Sequence, residues 1–298
     1  MSRSQGLRPA LLNLLIALRP GQWTKNLFVF AALVFAERLN ETDAVVKAVV
    51  AFLVFCALSA TIYLINDVLD REQDRRHPLK AHRPIASGAL SPALALSAAA
   101  VLGAAGMIAA SALGWRVFQM AAAYVVLLSA YSAFLKHIVI LDVLAVAAGF
   151  TLRAAAGAAA IAVPISHWLL VCTTLLALFI ALSKRRHELT LLTDAAVDHR
   201  PILGDYTPYL LDQMISVVTA STLIAYAFYT ISPETTAKFG TDLLSLTIPF
   251  PLYGIFRYLF LVHSRNKGGS PAELVVNDRP LLVCVALWAL SVIAIIYQ

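Results

Sequence analysis

Charge is what this sequence has least of. Only 13% of its 298 residues are Asp, Glu, Lys or Arg, where a soluble domain carries about 25%. With 60% apolar residues and a mean hydropathy of +0.78, a water-soluble globule is excluded, because no core of this size hides so much apolar surface. Bilayer is the expected solvent. Cysteine is scarce as well. Cys56, Cys172 and Cys284 each sit in an apolar segment without CxxC spacing, which argues against a disulfide framework or a thiolate metal site and for small buried side chains. Internal repeats and low-complexity tracts are also lacking. The basic N-terminus (Arg3, Arg8) leads no short apolar run ending in a small-residue cleavage site, so no cleaved leader is predicted.

What is present is a series of long apolar runs. Reading stretches of roughly 17–25 residues as spans predicts nine crossings, near 22–38, 44–66, 92–112, 117–135, 138–160, 166–183, 209–231, 242–262 and 280–297. The run at 9–18 is short, ends at Arg19-Pro20 and reads as an interfacial lead-in. The expected class is an all-α polytopic membrane protein with one continuous helical domain over 1–298. Of 23 lysines and arginines, eighteen fall on the side of the N-terminus, four (Arg38, Lys47, Arg116, Lys238) on the other, and Arg153 lies inside the fifth span. The positive-inside rule makes the N-terminal side cytoplasmic, in the cell inner (plasma) membrane. The net charge of +6 is thereby explained without nucleic acid.

The scarce acids are concentrated. Asn66, Asp67, Asp70 and Asp74 follow the second span as N-D-x-x-D-x-x-x-D, and helical spacing puts 67, 70 and 74 on one face. Three adjacent carboxylates repel one another unless a cation lies among them, and magnesium takes one or two carboxylates plus water and phosphate oxygens. The alternative is a solvated helix end neutralised by Arg71, Arg75 and Arg76. Its place at the membrane boundary, where ionisable groups are costly, favours the metal. Arg75, His77, Lys80 and Arg83 follow at once, interrupted by Pro78 and Pro84. Lysine and arginine suit phosphate as point charge and planar fork, so the segment reads as a pocket for magnesium and a polyanion.

Other cations converge on the same side. Lys25 is either an interfacial anchor or a phosphate contact. Arg153, unaffordable unpaired in lipid, should face a polar cavity, with Asp142 three turns earlier near the same helix face. Lys136-His137 marks the fourth-to-fifth junction. Lys184 and Arg185 end the sixth span, either as snorkelling anchors or as ligand contacts. Glu188 lies four residues from Lys184. Asp194 and Asp198 form a DxxxD in a loop, and Tyr206 joins the candidates before the seventh span.

The acidic motif after a second span, in a nine-span chain of this length, resembles the UbiA superfamily of intramembrane prenyltransferases. That resemblance implies a ring of nine transmembrane helices round a central cavity, capped by cytoplasmic loops, and catalysis through magnesium. It also implies Asn66, Asp67, Asp70 and Asp74 as metal-holding catalytic residues. The second acidic motif common in that family is missing. Ser183-Lys-Arg-x-x-Glu188-Leu stands in its place. With Arg19-Pro-x-Gln-Trp-x-Lys-Asn26, His77-Pro-x-Lys80-x-x-Arg83-Pro-Ile, Leu135-Lys-His137, Arg153-Ala-x-Ala-Gly157 and Pro164-Ile-Ser-x-Trp168, this is similar to the branch that moves a phosphoribosyl group. The likeness implies phosphoribosyl diphosphate as donor and polyprenyl phosphate as acceptor, and a lipid-linked pentose precursor for cell-envelope glycans as product. Lys25, Arg75, His77, Lys80, Arg83, Lys136, Arg153, Lys184, Arg185 and Tyr206 are then the phosphate-binding candidates. A homo-oligomer, a trimer among the possibilities, is implied by resemblance alone. Prenyl transfer from a prenyl diphosphate to an aromatic acceptor is the alternative enzyme. A transporter or lipid-anion binder is the non-enzyme one, and the one-sided charge disfavours it.

Overall fold

A computed structural model describes residues 4–76, 80–192, 201–265, 274–275 and 277–298. Every regular element among them is helical. The chain opens with α1 (Ser4–Ala17), a 3-10 helix over Pro20–Phe30 and the short α2 (Ala31–Phe35). Then come α3 (Thr42–Leu69), α4 (Arg71–Arg76), α5 (Pro92–Leu113), α6 (Trp115–Ala133) and α7 (Leu141–Ala160). The second half holds α8 (His167–Leu192), α9 (Pro208–Ile231), α10 (Pro233–Phe239), α11 (Pro249–Arg265) and α12 (Arg279–Ile296). Ser91, Thr207, Ser232 and Asp278 start four of these helices, each accepting a backbone N–H three residues on beside a proline in the first turn. These are the residue types that satisfy a helix's first orphan donors.

Eight helices among the described residues are long and apolar enough to cross a bilayer. The protein is an integral membrane protein. The expected span at 22–38 is the exception: it folds as the 3-10 stretch plus α2 and not as one continuous α-helix. Eleven residues at ~2.0 Å and five at ~1.5 Å still reach roughly 30 Å, the thickness of the hydrocarbon core. Its two ends lie at opposite ends of the bundle. Arg19 bonds Asp67 at the end of α3. At the opposite end Leu39 N–H donates to Tyr297 OH after α12 (3.1 Å), and Lys238 donates to the Phe35 carbonyl (2.8 Å).

Long 3-10 runs have poor hydrogen-bond geometry and need outside support. Here α7 supplies it. Its alanine- and glycine-rich sequence lets backbones approach, and at Gly157 a Cβ would stand 2.0 Å from the Val29 carbonyl oxygen. Gly157→Ala would gain about 1 kcal/mol of helix propensity but force the 3-10 backbone off α7. Overpacking of this kind outweighs the gain, so thermal unfolding in detergent should register a net loss of roughly 2 kcal/mol. The ring runs α3, α5, α6, α7, α8, α9, with α11 and α12 completing it and the 3-10 segment inserted against α3 and α7. Helix α8 continues past the predicted end of its span to Leu192, so Lys184, Arg185 and Glu188 lie on its last turns.

Candidate active site

A cavity of about 1460 Å³ fills the ring. Its walls are mostly apolar, with Phe28, Leu176, Phe179 and Trp288 among them. Lys25, Asn66, Arg153, Lys184 and Arg185 bring polarity to it, and Arg38, His167 and Lys238 reach it at the opposite end.

The acidic motif forms where α3 stops. Asp67 closes α3, Asp70 caps it, and Asp74 lies in α4. Asp67 (3% exposed) and Asp74 (2%) are buried and share one cation. Arg83 Nη1 donates to Asp67 Oδ1 at 3.0 Å and to Asp74 Oδ2 at 2.7 Å. Arg19 donates to the same Asp67 oxygen from a left-handed backbone conformation (φ 54°), with its guanidinium 4.9 Å from the Tyr63 ring centre. Lys80 stands 3.9 Å from Asp74. Asp70 is partly exposed. The three acids therefore do not meet on one continuous helix face, and no set of three His, Cys, Asp or Glu side chains converges among the described residues. Two of them do converge, on a guanidinium. The Asn66 amide donates to Ser132 Oγ (2.8 Å), which leaves its carbonyl oxygen for the cavity. Two hard carboxylates already holding one cation between them, with an amide oxygen at hand, fit a magnesium ion once Arg83 moves aside.

A second cluster joins α7 and α8. Arg185 donates from Nε to Asp142 Oδ2 (2.8 Å), from Nη1 to Glu188 Oε2 (2.6 Å) and from Nη2 to Tyr131 OH (3.3 Å). Tyr206 OH donates to the other Asp142 oxygen (2.8 Å) and accepts from Ile140 N–H (2.8 Å). Burial, aided by the Asp142 carboxylate, pushes the Tyr206 phenol up to about 12. Ile140 holds a positive φ of 71°, which a β-branched residue adopts only under constraint. Asp142 is thus committed to Arg185 and Tyr206. The sequence had placed it near Arg153.

Lys25, Arg153 and Lys184 face the cavity, and Lys25 lies within electrostatic reach of the other two and of Arg19. Lys184 has Glu188 at 3.8 Å. Arg75 turns outward to Glu72 (2.9 Å) and the Ala86 carbonyl (2.9 Å), and Lys136 sits on the 3-10 turn Leu135–His137. Neither lines the cavity, and neither does Tyr206. His77, Asp194 and Asp198 lie outside the described residues. Sequence reasoning did not single out Arg19, Asn26, Tyr63, Tyr124, Tyr131 or Ser132 as site residues. Arg19 and Asn26 stand in the Arg19–Asn26 string, which was the available signal. The tyrosines and Ser132 looked like ordinary span residues.

Comparison with known proteins agrees with this fold. A family model described as UbiA prenyltransferase family matches residues 26–279. The decaprenyl-phosphate phosphoribosyltransferase of Mycolicibacterium smegmatis is 33% identical across 96% of this chain and 92% of its own length. The protein of the same name from Corynebacterium glutamicum is 32% identical across 94% and 86%. Among solved structures, a UbiA homolog from Archaeoglobus fulgidus bound to GPP and Mg2+ superposes with a TM-score of 0.73 at 21% identity, covering 96% of this chain and all of that one. By its sequence match along most of its length, and with a fold to suit, the chain belongs to the UbiA prenyltransferase family.

Proposed function

We propose that this membrane transferase moves the 5-phosphoribosyl group of phosphoribosyl diphosphate onto a polyprenyl phosphate, releasing diphosphate. The observation that carries the reading is the clustering of Lys25, Arg153 and Lys184 at one cavity, where α8 carries Ser183-Lys-Arg in place of a second acidic motif. A prenyl transferase with an aromatic acceptor handles one diphosphate. A phosphoribosyl transferase gathers a 5-phosphate, a diphosphate and a lipid phosphate, and needs the extra cations. The relatives' names point the same way.

The chemistry follows from the charges. An oxygen of the lipid phosphate, anionic at neutral pH, attacks the anomeric carbon as its bond to the diphosphate oxygen breaks. No proton has to move, so no strong general base is required. Asp67, Asp70, Asp74 and Asn66 are the residues that would hold magnesium, which when bound supplies charge neutralisation for the departing diphosphate. Arg83 and Lys80, beside Asp74, would take phosphate oxygens. Holding donor and acceptor in line supplies much of the rate. The basic end of the ring faces the cytoplasm, where a soluble donor is available, and the product serves as a lipid-linked pentose precursor for the cell envelope.

Purified protein in detergent, given magnesium, polyprenyl phosphate and radiolabelled phosphoribosyl diphosphate, should yield a labelled lipid, and EDTA should abolish it. Transfer instead from a prenyl diphosphate to an aromatic acid would overturn the reading.

A further inference from the structure

Arg153 is a buried cation whose partners among the described residues are all neutral. It is 5% exposed. Nε donates to Asn26 Oδ1 (2.7 Å) and Nη2 to Tyr124 OH (2.6 Å). The guanidinium lies 4.6 Å from the Tyr124 ring centre and 5.2 Å from that of Phe150. Tyr124 OH is itself tied to Ser59 Oγ (2.9 Å), and the Asn26 amide donates to Cys56 Sγ (3.2 Å). No carboxylate among the described residues pairs with Arg153, and Nη1 has no hydrogen-bond partner among them. Nη1 lies beside Gly149, where a Cβ would stand 3.5 Å away, and both residues line the cavity. A framework of neutral groups thus holds two corners of the fork and leaves the third, with the full charge, turned to an apolar chamber.

Depth identifies the anion. Ser59 precedes Asn66 by seven residues on α3, about 10 Å along the axis at 1.5 Å per residue. The Arg153 charge therefore sits roughly 10 Å beneath the acidic end, with Lys25 in electrostatic reach and mostly apolar wall about it. An anion that stops there must carry an apolar tail into that wall. We propose that Arg153 Nη1 is the seat of the polyprenyl phosphate, beneath the donor, and that Asn26 and Tyr124 are positioning residues that aim it. This rests on the phosphoribosyl-transfer reading for the donor but not for the lipid-phosphate seat itself.

Asn26→Asp tests it, because it puts a carboxylate on Arg153 at nearly constant shape. The fold should gain or hold its melting temperature. Equilibrium binding of a short polyprenyl monophosphate, without donor, should weaken by about tenfold or more, and the KM for polyprenyl phosphate should rise in step. The KM for phosphoribosyl diphosphate should stay within about twofold. Tyr124→Phe, which removes one acceptor without adding charge, should show the same split on a smaller scale and stands in if Asn26→Asp folds poorly. Unchanged lipid-phosphate binding in both variants overturns the proposal, as does a rise confined to the donor's KM, which would give Arg153 to the sugar's phosphate. Wild-type protein that binds the lipid phosphate and transfers nothing to it leaves this seat standing and defeats the transfer reading.

Discussion

Asp70→Ala should abolish turnover, by about a thousandfold or more, while leaving the melting temperature where it is. Among the described residues the Asp70 carboxylate has no ion pair and is partly exposed, so its removal breaks no ion pair among them. Its neighbours differ. Asp67 holds both Arg19 and Arg83, and Asp67→Ala should lose turnover and stability together. Arg19 and Arg83 each keep 29% of the side chain exposed, so solvent screens the loss, and roughly 1–3 kcal/mol is expected, below the cost of breaking a fully buried pair. The two variants thus separate chemistry from architecture on one motif. Turnover by Asp70→Ala at a tenth of wild type or better would sink the metal assignment.

The spans were legible in the sequence because bilayer thickness dictates their length and composition. Eight of the nine predicted runs correspond to membrane-length helices. The first does not, because nothing in a hydropathy pattern distinguishes an α-helix from a 3-10 segment lying on a glycine of another helix. That close approach is a tertiary fact, set by Gly157 more than a hundred residues away. The site divides in the same manner. Residue types at helical spacing marked Asp67 and Asp74, and the cost of an arginine in lipid marked Arg153. The partners were hidden. The acceptors of Arg185, read from the sequence as either a snorkelling anchor or a ligand contact, were hidden because they come from α6, α7 and its own helix. Arg19 looked like an interfacial anchor because a left-handed residue before a proline, rather than any periodicity, carries it to Asp67.

Asp142→Ala should cost more stability than any other single change considered, about 3–5 kcal/mol. Asp142 is 0% exposed and accepts from Arg185 on α8 and Tyr206 before α9. Removing it takes from Arg185 its fully buried carboxylate, leaving it Glu188 and a phenol, and leaves Tyr206 without its acceptor. If the cost is that of a buried pair broken on one side, the double variant Asp142→Leu/Arg185→Met should melt above the Asp142→Ala single variant, since apolar pairs of similar volume replace buried ion pairs at little loss. The clasp should also be indifferent to pH in the working range. Tyr206 titrates at about 12 in the fold, above the value of about 10 for a free phenol. Its contribution is therefore complete below pH ~10 and fades only as pH rises through ~12. Thermal unfolding of the three proteins in detergent at pH ~7 and ~9 decides the matter. A melting temperature unmoved by Asp142→Ala would mean that Arg185 does not depend on its carboxylate, and would return it to the residues that meet the substrate's phosphates.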